Sequence, residues 1–244
     1  MALVVAMLAA SVACGAQGQS SATDTADLAA VKVASSLTER IEYLLKVDGS
    51  AATPMSERQR VILRRALERD GVVSRADYDQ AWSNYQQCMI DYGYTRPVVP
   101  TYADGLRSPL LYPKDEGHSA EEMAQLASHD QQCRAREYLI VDECYRDHLA
   151  NPNLYAEPTV AVVDCLRREE LVPASYTGKR FLEEEQVYHE VHARNMATDP
   201  TDASGEAAAQ FSFDLHAPKA VTCLVANGKD VGQAEDFEGW DAFG

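Results

Sequence analysis

The sequence predicts a mainly α-helical domain, stapled by disulfides, made of two weakly related halves and interrupted by one long proline-rich loop. Three observations carry this expectation. Apolar residues recur at helical spacing behind capping residues. Five cysteines follow residue 14, in a chain that opens on a short apolar run. Between Tyr94 and His118 stand Pro97, Pro100, Pro109 and Pro113, which no helix or central strand tolerates together.

Taken in order, the elements begin with an address. Ala2 to Ala13 is almost wholly apolar, too short to span a bilayer as a helix, which needs about 20 residues. It fits the apolar core of a secretory signal over residues 1–13. Ser11, Val12 and Ala13 stand directly before Cys14, and this resembles the cleavage box of bacterial lipoproteins. The resemblance implies that Cys14 carries a diacylglyceryl group and becomes the first mature residue. Residues 14–35 are then the lipidated cysteine and a Gly-, Ser-, Gln- and Ala-rich tether. No cation precedes Cys14, the first being Lys32, and Ser11 stands where the box usually has Leu.

The helical extracytoplasmic domain is expected over residues 36–228. Ser56 and Glu57 open a helix that runs to about Arg69 and stops at Asp70-Gly71. Ser74, with Asp77 three residues on, caps the next. Its Tyr78, Ala81, Trp82, Tyr85, Cys88, Met89 and Tyr92 share one face, and Gly93 ends it. After the loop, Ser119 and Glu122 form a capping box for a helix predicted to run unbroken to about Leu149, where Asn151-Pro152-Asn153 breaks the chain. Pro158 suits the first turn of a helix from Thr159 to Leu171, although the β-branched run Thr159–Val163 leaves a strand as the alternative. Lys179–Met196 reads as a charged amphipathic helix, Gln210–Leu215 as a short extended piece, and Ala217–Asn227 as a last helix stopped by Gly228. Residues 229–244 are expected to be an acidic disordered tail, with Phe237, Trp240 and Phe243 as its potential anchors.

The cysteines follow a faint duplication. Cys88 and Cys165 each sit late in a helix before a proline-containing break, and Cys133 and Cys223 each sit in a later helix. Equivalent bridges would be Cys88–Cys133 and Cys165–Cys223, leaving Cys144 as a small buried hydrophobe. A rival stays open. Cys144 and Cys165 flank the Asn151–Pro152 turn at similar distances and would sit level in an antiparallel hairpin, with Cys223 left free. None of the five lies in a Cys-x-x-Cys pair, so a thioredoxin-like motif and a zinc ribbon are both unsupported.

Tyr85, Cys88, Met89, Gly93 and Tyr94, followed by Asp130 and Cys133, give the chain a pattern of Tyr-x-x-Cys-Met…Gly-Tyr and Asp-x-x-Cys. That pattern resembles a group of uncharacterised lipoproteins of Gram-positive actinomycetes. The resemblance covers about a third of the chain and implies export, anchoring and disulfides, with nothing catalytic.

A net charge of −16 argues against nucleic acid, whose phosphates need a basic surface, and against direct contact with anionic lipid. Candidate chemistry is sparse. Glu185, His189 and His192 share a helical face, a donor set suited to Zn²⁺, but the histidines are three apart where the zincin motif needs four. Ala66–Asp77 has a calcium-loop rhythm with Ala at its first ligand position. Asp130 falls on the apolar side of its helix, where a hydrogen-bonding role is expected before a catalytic one. Neither a Gly-x-Ser-x-Gly elbow nor a glycine-rich phosphate loop is present.

The expected function is a non-enzymatic binding or accessory module on the outer face of the bacterial membrane, held by Cys14 and engaging an envelope protein or a transporter. Tyr94, Tyr102 and Tyr112 in the proline-rich loop are its candidate contacts. No catalytic residue, metal or cofactor is expected. The alternatives are a metal-dependent hydrolase using His189 and His192, or a purely structural envelope protein.

Overall fold

The computed structural model describes residues 31–102, 105–108, 113–198, 205–229 and 239–244. The expected signal peptide, Cys14, most of the tether, Tyr112 and Phe237 lie outside the described residues.

Serine hydroxyls start the first four helices by the same device. Ser36, Ser56, Ser74 and Ser119 each accept a hydrogen bond from the N–H three residues on, satisfying a donor that the first helical turn leaves free. These caps open α1 (Leu37–Asp48), α2 (Glu57–Leu67), α3 (Arg75–Asp91) and α4 (Ala120–Glu137). At α4 the box is complete, because the Glu122 carboxylate accepts the Ser119 N–H in return at 2.7 Å.

The tether expectation is corrected at its C-terminal end. Val33 N–H donates to the Leu154 carbonyl and Ala156 N–H to the Val31 carbonyl, so the segment 31–35, expected in the tether, is hydrogen-bonded to the domain. It continues at once into α1, which buries Ile41 completely. Asp48 ends α1 and accepts from the Met55 N–H (2.7 Å) and from Arg60 Nε (3.0 Å), closing the turn into α2.

The helix expected from Ser119 to Leu149 is two helices. After α4 the backbone breaks at Tyr138 (φ −141°, ψ −23°) and resumes as α5 (Leu139–Ala150). A break strands carbonyls before it and amides after it. Buried Gln59 of α2 meets both sets: its Nε2 donates to the Ala135 and Arg136 carbonyls at 2.9 and 2.8 Å. Its Oε1 accepts the N–H groups of Ile140 and Val141 at 2.9 and 3.3 Å. The break turns Tyr138 into the core, stacked on Trp82 with ring centroids 3.8 Å apart.

Thr159–Val163 is helical, not a strand. Pro158 occupies the first turn of α6 (Pro158–Arg168), and the Glu157 carboxylate accepts from the Thr159 N–H. There follow α7 (Gly178–Thr198), the single turn α8 (Gly205–Ala208) and α9 (Pro218–Ala226). Residues 210–215 form no strand. Phe211 and Phe213 pack instead as irregular chain against Phe181, Tyr188 and Tyr176.

One hydrophobic core runs through these helices, with α5 packed against both α3 and α9. Two disulfides staple it. Cys88–Cys133 joins α3 to α4, and Cys165–Cys223 joins α6 to α9, with Cα–Cα distances of 5.8 and 5.5 Å. The rival Cys144–Cys165 pairing is overturned, because Cys144 is a free, buried thiol on α5. Two bridges in one helical core indicate an oxidising, extracytoplasmic environment. No described helix is long and apolar enough to cross a membrane.

The end of the chain, expected in a disordered tail, is docked. Trp240 and Ala242 are buried, and the segment 239–244 lies along the start of the proline-rich loop. Thr95 N–H donates to the Ala242 carbonyl and Lys114 N–H to the Trp240 carbonyl, both at 2.9 Å. Aromatic anchors outweigh the acidic composition there, since each large ring removes much apolar area from water.

Candidate functional site

The loop singled out from the sequence is held inward where it is described. Tyr94 leans edge-on against Trp240 and Phe243, and its hydroxyl meets His129 Nδ1 at 2.9 Å. Tyr102 is half-buried against the core. Around Tyr94 an aromatic collar forms: Tyr92 stacks on His129 at 3.9 Å and His118 on Phe243 at 4.2 Å. Tyr92 is 41% exposed, so this collar presents a ring to solvent on a rigid base. The docked end of the tail, expected to be disordered, is the part of this collar that the sequence did not predict. Its Trp240 and Phe243 were the available signal.

The histidine face of α7 does not assemble. Glu185 is taken by Lys229 at 2.9 Å, His189 is exposed, and the His192 ring stacks on Tyr188. Among the described residues, no group of three or more His, Cys, Asp or Glu is placed to hold a metal ion. The calcium-like turn has a helix-corner structure. Gly71 takes φ +85° with Leu37 backbone 2.6 Å from where a Cβ would stand. Asp77, at the last ligand position, is spoken for by Arg65, Arg69 and the Ser74 hydroxyl. Burial works against its charge, but those three bonds outweigh burial and hold the carboxyl below its usual range.

Asp130 accepts from the Tyr85 hydroxyl at 2.6 Å and pairs with Arg134 at 2.7 Å. This is the expected hydrogen-bonding role. Burial, then the Asp130 charge, raises the Tyr85 phenol, which stays a donor at any physiological pH.

Two features were not read from the sequence. The first is an acid pair on α5 beneath α1, where Arg40 forms an ion pair with Glu143 and lies 4.0 Å from Asp147. Burial, then the Glu143 charge one turn away, pushes Asp147 up to about 6. The second is a shallow groove of about 420 Å³ between α2 and α3, floored by Val61 and Ile62 and flanked by Arg58, Arg65, Gln80 and Asn84. Glu57, at its edge, is turned to Arg64 at 2.5 Å. Arg58 is fixed from below, since buried Glu137 receives its Nε and Nη2 at 3.2 and 3.1 Å. The available signal was six arginines between residues 58 and 75 in a chain of net charge −16. Compared with protein-family models, with curated proteins and with solved structures, the chain finds no match.

Proposed function

We propose that this chain is an extracytoplasmic lipoprotein, anchored to the outer face of the bacterial membrane through Cys14, that works as a non-enzymatic binding or accessory module. The observation that carries the reading is the pair of disulfides in a chain whose short apolar run ends at Ser-Val-Ala-Cys. A diacylglyceryl group supplies two acyl chains, enough for stable anchoring, which an acidic protein cannot obtain from anionic lipid by charge. The aromatic collar of Tyr92, Tyr94 and Phe243 is the contact surface for an envelope protein or transporter. Mass spectrometry of the mature N-terminus tests the anchor. A diacylglyceryl-modified Cys14, lost together with membrane retention in Cys14→Ser, is expected. An unmodified N-terminus at another residue would overturn the reading.

A further inference from the structure

The groove between α2 and α3 has a counterpart elsewhere on the molecule. Along α2 the groove-side stripe reads Arg58, Val61, Arg65, with steps of three and four residues. Val61 is 38% exposed, and both guanidiniums are about half exposed although each is anchored to a buried carboxylate. The outward stripe of α7 reads Glu183, Val187, Glu190, with steps of four and three. Val187 is 41% exposed, and both glutamates are exposed. Reversing the direction of one helix brings the two stripes into the same order. Either end of each stripe is seven residues from the other, about 10 Å along a helix.

We propose that a second copy of this chain seats its α7 in the α2–α3 groove, antiparallel to α2, setting Glu190 against Arg58, Val187 against Val61 and Glu183 against Arg65. Helix-in-groove recognition needs an apolar anchor flanked by specifying charges, and both surfaces supply one. The complementarity is local to the stripes, since both copies carry a net charge of −16: half-exposed Arg58 and Arg65 in the groove stand opposite exposed Glu190 and Glu183 on α7. Arg65 and Arg58 are held in place by Asp77 and Glu137, so little side-chain freedom is lost on pairing. Lys179, one turn before Glu183, pairs with it at 3.8 Å, but both side chains are largely exposed, so this weak surface pair gives way to Arg65 at little cost. The two surfaces differ, so the contact is heterologous, and it closes as a dimer when it forms reciprocally.

The test uses the purified full chain as an equal mixture of nitrogen-15 and natural-abundance protein, with a photo-crosslinking amino acid at Val187. Crosslinked peptides of mixed isotope joining α7 to residues 58–84 are expected, with a solution mass above monomer that falls as salt is added. Arg65→Glu should weaken association about tenfold without unfolding the chain, because Arg69 and Ser74 still hold Asp77. Adding Glu183→Arg to Arg65→Glu should restore association. A monomeric mass at about 1 mM, crosslinks confined to one isotope, or failure of the double charge reversal to rescue would each overturn the proposal.

Discussion

The two bridged helix pairs are joined alike but specified differently. Around Cys88–Cys133 the core is aromatic and polar. Trp82, Tyr85 and Tyr138 interlock, with centroids 3.8 to 5.9 Å apart, while Asp130 and Gln59 take up the buried donors and acceptors. Around Cys165–Cys223 the buried side chains are aliphatic: Val162, Val163 and Leu166 on α6, with Ala220, Leu224 and Val225 on α9. A polar network fixes one register because any slip leaves buried groups unpaired. An aliphatic interface fixes volume and tolerates small shifts. The first pair is thus held by directional bonds and the second by packing and its crosslink.

The largest test removes the crosslinks. They span 45 and 58 residues, so the chain-entropy account gives both nearly the same worth, about 4 kcal/mol each. Cys88→Ala/Cys133→Ala and Cys165→Ala/Cys223→Ala should therefore lose similar stability in urea. Their native states should differ. Amide exchange in α3 and α4 should stay slow without the first bridge, because the network survives, and α9 should exchange fast without the second. Equal loosening in both variants would break the comparison.

Next comes Gln59→Ala, which leaves four backbone groups at the α4–α5 break without their partner. A cost of about 3 kcal/mol is expected, read as a lower urea midpoint. No replacement in the second pair is expected to cost as much through polar groups alone.

Gln59 also shows what was legible in the sequence. Helix starts were local signals. Ser56, Ser74 and Ser119 cap where expected, and the bridge pairing followed from where cysteines sit in successive helices. The break at Tyr138 was not legible, because it exists through an amide about 80 residues upstream. Helix α1 was missed because one fully buried apolar residue, Ile41, gives little periodicity to see. The groove was missed for the same reason as the break: Val61 and Asn84 meet only once α2 and α3 have packed.

A smaller effect separates ordinary carboxylates from Asp147, which lies on α5 between the two pairs. Its folded pKa is raised to about 6, so the fold binds its proton more tightly than the unfolded chain does. That contribution is complete below about pH 4 and is lost as pH rises through 6. Asp77 has the opposite sign, since its lowered pKa gives stability above the unfolded value that is lost in acid. Asp147→Asn should stabilise the protein at pH 7 by about 1–2 kcal/mol and flatten its stability curve between pH 4 and 6. An unchanged curve in urea titrations across that range would sink this assignment.

The smallest effect concerns Cys144, the cysteine without a counterpart in the duplicated pattern. It is 1% exposed on α5, the helix that packs against both α3 and α9. Burial first, then the Glu143 and Asp147 carboxylates, raises its thiol, so the reactive thiolate is disfavoured and the sulfur is shielded. A group used for its reactivity sits in the opposite surroundings, partly exposed and near positive charge. Cys144 therefore works as volume. Alkylating reagents should label it in urea and leave it untouched in the native protein. Cys144→Ala removes one buried sulfur and should cost about 1 kcal/mol, with both disulfides retained in a non-reducing peptide map. Rapid native labelling, or scrambled bridges in that variant, would mean that α5 opens readily and does not hold the two bridged pairs as one core.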